Sequence, residues 1–222
     1  MSTDETNIRA SSLAEADVMK LAGDCHQAFQ EGADEQGEML QSMDGKLLPI
    51  ACRAGCAHCC SIYVTLSVSE LILIRGYIRT LPEQVKKDIA AKVVAAVPRV
   101  AGKGSGERAR NRVRCPLLDR NGRCLVYDAR PLACRAYVSS DSRLCKRSED
   151  NPDEEVAIGH SRELSNGRNR MLLQLLKYER DKGLPFGTYE LIQSLDIVLG
   201  MRGDLTPILN GERVLDSALE KL

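Results

Sequence analysis

Thiols carry the chemistry of this sequence. Eight of its nine cysteines fall in two runs, Cys52, Cys56, Cys59 and Cys60, then Cys115, Cys124, Cys134 and Cys145. Scattered core cysteines do not cluster in this way. Thiolates gathered in fours are what zinc ions and iron–sulfur clusters require. The two residues between Cys56 and Cys59 suit a knuckle whose backbone amides point at the sulfurs, and Cys52 adds a third thiolate from the preceding turn.

Cys59 and Cys60 are adjacent, and in extended backbone neighbouring side chains face opposite ways. One can ligate while the other packs, or the two can serve different metals. The eight thiols divide into two four-thiol sites, or into one site plus spare redox thiols. The wide spacing of Cys115, Cys124, Cys134 and Cys145 favours iron, because closed zinc sites usually use two short-spaced pairs. The C-x3-C-x2-C run also matches the radical S-adenosylmethionine signature. The chain after Cys60 is short for that barrel, and it does not alternate strand with helix.

Charge around the thiols is positive. Arg53, Arg114, Arg123, Arg130, Arg135 and Lys146 lie within a few residues of a cysteine, where they can offset an anionic site. His58, inside the knuckle, is expected to point outward or hydrogen-bond a sulfur rather than ligate. His26 and His160 carry no functional signal. Cys25 reads as a buried core thiol, and Glu70 is explained by a capping box with Ser67.

The elements that must position these residues are mostly helices. A first helix is expected from a capping box at Ser12 and Glu15, with Val18, Leu21, Cys25 and Phe29 on one face. Residues 31–51 read as loop or frayed helix, and Ser61–Leu66 as a short strand. Ser67 starts a second helix, to about Arg79. Pro82 starts a third, through Val85, Ile89, Val93 and Val97, which Pro98 should end. Residues 99–114, rich in glycine and arginine, read as a mobile basic linker ahead of the alternative, a patch for a phosphate or an acidic partner. They lack the glycine spacing of a phosphate-binding loop.

Asn121-Gly122 signals a two-residue hairpin that pairs Asp119 with Cys124. In an ideal hairpin Cys115 would then stand about 13 Å from Cys124, too far for one zinc ion. Either the strand breaks at Pro116 and curls back, or the two cysteines belong to different sites. Residues 149–155 read as an acidic surface connector. Further helices are expected over about 163–181, 188–200 and 212–222.

Composition narrows the possibilities. Lysine plus arginine, 31, equals aspartate plus glutamate, 31, so no general attraction to nucleic acid or membrane is expected. There is no tryptophan and there are two phenylalanines, so no large stacking surface is expected either. No apolar run reaches the roughly twenty residues of a membrane span. The N-terminus lacks the order of a signal peptide, which points to a reducing cytoplasm where clustered cysteines are ligands or catalytic thiols rather than disulfides.

The order Cys52, Gly55-Cys56, Cys59-Cys60, then Cys115-Pro116-Leu117-Leu118, Gly122-Arg123-Cys124, Tyr127, Arg130-Pro131 and Cys134-Arg135-Ala136-Tyr137 resembles the YkgJ-type cysteine-cluster family with its CxxxCxxCC pattern. Its members are described as zinc- or iron-chelating. The resemblance spans roughly residues 52–145. Many members have two residues rather than three between the first two cysteines, which sets Cys52 apart from Cys56 and Cys59. The resemblance implies a metal-binding cluster and no assigned reaction. A similar block in flagellin lysine methylases accompanies an iron–sulfur cluster and methyl transfer, but this chain is much shorter.

The expected fold is mainly α: one domain, 1–222, with a small β-hairpin, a cysteine-cluster core over about 52–145, and a cysteine-rich metal-binding lobe built from residues 52–60 and 115–145 of it. A helical N-terminal arm (1–51) and a helical C-terminal part (160–222) flank the lobe. The expected function is a metalloprotein holding iron as an iron–sulfur cluster, with a redox or enzymatic role. The alternative is a zinc-stabilised module that binds a partner without catalysis. A thiol redox sensor built on Cys59-Cys60 ranks third. No catalytic residue and no particular protein or small-molecule partner can be named.

Overall fold

The computed structural model describes residues 13–35, 39–41, 46–201 and 204–220. Helix α1 (Glu15–Glu35) buries Val18, Ala22, Cys25, His26 and Phe29, whose spacings of three and four residues bring them to one face. Its expected cap, Ser12, lies outside the described residues. Short strands β1 (Met39–Gln41) and β2 (Leu47–Pro49) pair antiparallel and lead into the first cysteine run.

After that run comes β3 (Thr65–Leu66) and then α2 (Val68–Thr80). The α2 capping box is complete: the Ser67 hydroxyl accepts from Glu70 N, and the Glu70 carboxylate accepts from Ser67 N at 3.0 Å. Helix α3 (Glu83–Val100) follows, then α4 (Ser105–Arg110), α5 (Leu132–Ala136), α6 (Ser142–Asp150) and α7 (Arg162–Asp181). Strand β4 (Tyr189–Glu190) pairs antiparallel with β3, and α8 (Leu191–Gly200) and α9 (Thr206–Leu209) complete the helices.

Helix α1 packs on α2 and α7, and α8 packs on α2 and α3. The main core lies between them: Leu71, Ile72, Ile74, Ile89, Leu195, Val198 and Ile208 are fully buried. The fold is mainly helical, with small antiparallel strand pairs and a cysteine-rich region. Among the described residues no helix is long and apolar enough to cross a membrane.

Four expectations change. Residues 31–51, expected as loop or frayed helix, carry the antiparallel pair β1–β2. Helix α3 passes through Pro98 to Val100, because Ala101 N still donates to Val97 O at 2.9 Å and the helical bonding pattern continues around the missing N–H. The C-terminal stretch forms only a 3₁₀ turn over Asp216–Ala218, with Leu215 buried beside it. The basic segment 99–114 is not a loose linker. It holds α4, and Arg108 is 1% exposed, its Nη2 3.8 Å from Glu190 Oε1. Arg99 Nη2 donates to Arg112 O at 3.1 Å and Asn111 Nδ2 to Arg99 O at 3.0 Å, closing the segment on itself.

Candidate metal centre

All nine cysteines are free thiols. Cys25 is buried on α1, with Gln174 Oε1 3.8 Å away, and is the core thiol expected of it. The other eight come from separate pieces of chain that the backbone sews together. Cys52, Cys56, Cys59 and Cys60 sit on consecutive turns: Cys56 N donates to Arg53 O and Cys60 N to Ala57 O, both at 2.9 Å. Cys115 N donates to Cys60 O at 2.7 Å, which brings the second run against the first. Ala51 N donates to Ser139 O at 2.8 Å, tying the start of the first run to the loop between α5 and α6.

Two glycines make this approach possible. Gly55 has φ +85° and Gly122 φ +74°, conformations that side chains disfavour. A Cβ on Gly122 would stand 3.0 Å from Gly55 O and 3.5 Å from the Ala57 Cβ.

The turn at Gly122 differs from the two-residue hairpin expected. Leu118, not Asp119, bridges to Cys124, a shift of one residue. Gly122 N donates to Asp119 O, Asp119 N donates to Arg123 O, and the Asp119 carboxylate accepts from Asn121 N and Arg123 N at 2.8 Å each. The aspartate side chain thus organises a longer turn with glycine at its left-handed position. Upstream, Leu118 N donates to Cys115 O at 3.3 Å, so the chain does turn at Pro116.

Cys134 lies on α5 and Cys145 on α6. The mutual influence of the thiols sorts them. Burial raises the Cys134 thiol well above its ordinary value, and Cys115, Cys59 and Cys124 raise it further. Burial pushes Cys115 up to about 12, with Cys124 and Cys59 among its neighbours. Burial also raises Cys52 and Cys145, and both feel Cys59 and Cys56. Cys59 is raised first by its hydrogen-bonded neighbour Cys60 and then by burial. One subset is therefore Cys115, Cys124 and Cys134, the other Cys52, Cys56 and Cys145, and Cys59 touches both.

Positive charge reaches this cluster from inside. Arg130 lowers Cys59, Cys124 and Cys134, against the burial that dominates two of them, and Arg135 also lowers Cys124. The Arg130 guanidinium lies 4.0 Å from the Tyr127 ring centroid, and its Nε is buried without a partner. Arg135 is fixed by bonds to Arg130 O and Asp128 O. Arg53, Arg114, Arg123 and Lys146 are exposed instead, and Lys146 pairs with Asp150 at 2.6 Å.

Residues 51–157 match the family model CxxCxxCC, described as "Putative zinc- or iron-chelating domain". That match contains all eight clustered cysteines. This segment is similar to that domain family. No curated protein and no solved structure matches the chain.

The CxxCxxCC description supports metal binding, and the donor set agrees with it in chemistry. Free thiols, most of them half-buried, stand around two arginines, as an anionic metal–thiolate group requires. The sulfurs share a neighbourhood rather than a finished coordination sphere. Among the described residues no three histidine, cysteine, aspartate or glutamate side chains already stand where one ion would need them.

Two residues of the matched segment escape sequence reasoning. Glu149, read as part of a surface connector, is on α6, and its Oε2 lies 2.7 Å from His58 Nδ1. Arg112, read as linker, donates through Nη2 to Ser148 O and Oγ on the same helix. A third, Glu70, does more than cap α2. Its Oε1 accepts from Leu132 N at 2.7 Å at the start of the Cys134 helix and lies 3.3 Å from His26 Nε2. The signal for Glu70 was its capping position; nothing local marked its second partner.

Proposed function

We propose that this protein holds iron, as an iron–sulfur cluster, on thiols drawn from Cys52, Cys56, Cys59, Cys60, Cys115, Cys124, Cys134 and Cys145, and that its role is redox or enzymatic. The observation that carries this reading is the convergence of the half-buried Cys115, Cys124 and Cys134 on Cys59, with Arg130 beside them. Such a group supplies one-electron transfer when bound, at a potential set by charge, hydrogen bonds and burial. The chain's own part is to bring the thiols together and place guanidinium charge against the sulfurs.

A zinc-stabilised module is the second reading. It is favoured by the build of residues 51–64, which hold turns and no helix or strand and gain order from any bound ion. The inward packing of Arg108 removes one support for a partner surface on the basic segment.

The test is purification without oxygen, followed by an absorption spectrum with iron, zinc and sulfide analysis. Brown protein with about four irons and matching sulfide per chain is the expected result for a four-iron cluster on four thiolates. Colourless protein with stoichiometric zinc selects the second reading.

A further inference from the structure

Glu70 makes more bonds than the cap of its own helix needs. A capping box asks one bond of this side chain, from Ser67 N, and glutamine serves there as well as glutamate. Here the carboxylate is 1% exposed and meets three donors. Oε2 accepts from Ser67 N at 3.0 Å, Oε1 accepts from Leu132 N at 2.7 Å, and His26 Nε2 lies 3.3 Å from Oε1. A carboxylate only accepts, so both oxygens are committed to N–H groups. Glutamine has one acceptor oxygen, and its amide nitrogen would face one of those donors.

The second bond reaches into the cysteine lobe. Leu132 is the first residue of α5, the short helix that carries Cys134, and Pro131 before it supplies no side-chain cap. Leu132 and Ala136 are buried with Ala22 and Phe29 of α1 and Leu164 and Leu175 of α7. Cys134 is two residues from each, roughly 200° around the helix and so on the opposite side. Apolar burial presses α5 onto the scaffold, but it is non-directional and leaves the helix free to roll or slide. A directional bond at the first amide removes that freedom. The other polar link from the scaffold to α5, Arg135 Nη1 to Gln30 Oε1, is longer at 3.5 Å.

We infer that Glu70 is a positioning residue for Cys134: it locks α5 to the N-terminal turn of α2 and so holds this thiol toward the other cysteines. The inference rests on the metal-binding reading above, in which Cys134 is a ligand. Glu70 touches the backbone of α5 and not the metal, and His26 braces it from α1.

Glu70→Gln separates this role from capping, because a cap alone tolerates glutamine. Ser67→Ala is the control, since it removes the hydroxyl of the cap and leaves the bond to Leu132 N in place. Two readouts are taken on the full-length chain, purified without oxygen and stripped of metal. The first is alkylation of Cys134 relative to Cys145, which lies on a different helix, by peptide mass spectrometry. The ratio should rise about tenfold in Glu70→Gln, as loss of a buried hydrogen bond to a charged group implies, and stay unchanged in Ser67→Ala. The second is titration with cobalt(II) alone, followed by its sulfur-to-metal absorption. Affinity should fall roughly 10–100-fold in Glu70→Gln and hold in Ser67→Ala. If Glu70→Gln does not fold, Glu70→Asp, which keeps the charge and shortens the reach by one methylene, should shift both readouts in the same direction. Unchanged ratio and affinity in the Glu70 variant overturn the inference, and so does an equal change in Ser67→Ala. An unaltered chain that takes up neither cobalt nor iron removes the metal reading, while the alkylation ratio still decides whether Glu70 holds Cys134.

Discussion

The helical scaffold and the cysteine lobe hold themselves together by different means. Around Leu71, Ile72, Ile74, Leu195 and Val198 the scaffold is apolar, fully buried and regular. Hydrophobic burial of this kind needs no ion. In the lobe, Leu117, Val126 and Ala129 join that apolar core, but residues 51–61 are mostly turns, Cys52 through Gly55 are exposed, and that run is held by a few main-chain bonds and two facing glycines. The difference teaches where a metal contributes to stability: in the lobe and not beneath it.

The strongest way to break that comparison is to remove the metal. With free metal 1,000-fold above its dissociation constant, binding stabilises the folded lobe by about 4 kcal/mol. A chelator should therefore speed amide exchange at residues 51–61 and 115–145 about a thousandfold, while α2, α3 and α8 keep their protection. Equal loss in both regions would show that scaffold and lobe open as one unit.

A pH titration of the metal-free chain examines the scaffold alone. Glu179, fully buried on α7, is pushed up to about 7 chiefly by burial, although Ser69 N donates to it at 2.8 Å. The folded chain thus binds this proton more tightly than the unfolded chain. Its contribution is fully present below about pH 4.5, declines as pH rises to about 7, and is then lost, a span of order 3 kcal/mol. Denaturant midpoints across that range should fall with rising pH, and Glu179→Gln should flatten the trend.

The smallest expected effect lies at the seam of the lobe. Gly122→Ala puts a Cβ 3.0 Å from Gly55 O in a left-handed conformation, at a cost of about 1–3 kcal/mol. Thermal unfolding of the metal-loaded chain reads this cost. Helix content by circular dichroism should stay unchanged, because both glycines lie in turns and outside every helix.

Legibility in the sequence followed the same division. The capping box at Ser67 and the apolar stripe of α3 are local signals; α2 stands where its signal put it, and α3 starts where expected but runs on through Pro98. Clustered cysteines announced a metal site, and the matched family description agrees. What stayed hidden was long-range pairing. Nothing near Arg108 says that Glu190 will cover it, and a six-residue helix is too short to show a period. Glu149 looked like acidic connector until α6 turned it toward His58. The hairpin register slipped by one because Asp119, rather than the Asn-Gly pair alone, organises the turn.

The bond from Cys115 N to Cys60 O has a consequence for assembly. Between those residues the chain runs through β3, α2, α3, α4 and their connections. Closing that long loop costs entropy that only packed helices repay. The full ligand set therefore cannot gather until the helices have docked, and metal capture keeps time for folding. In rapid-mixing experiments the helical signal should rise first and metal uptake follow after a lag. Addition of excess metal at the start should leave the early phase unaltered.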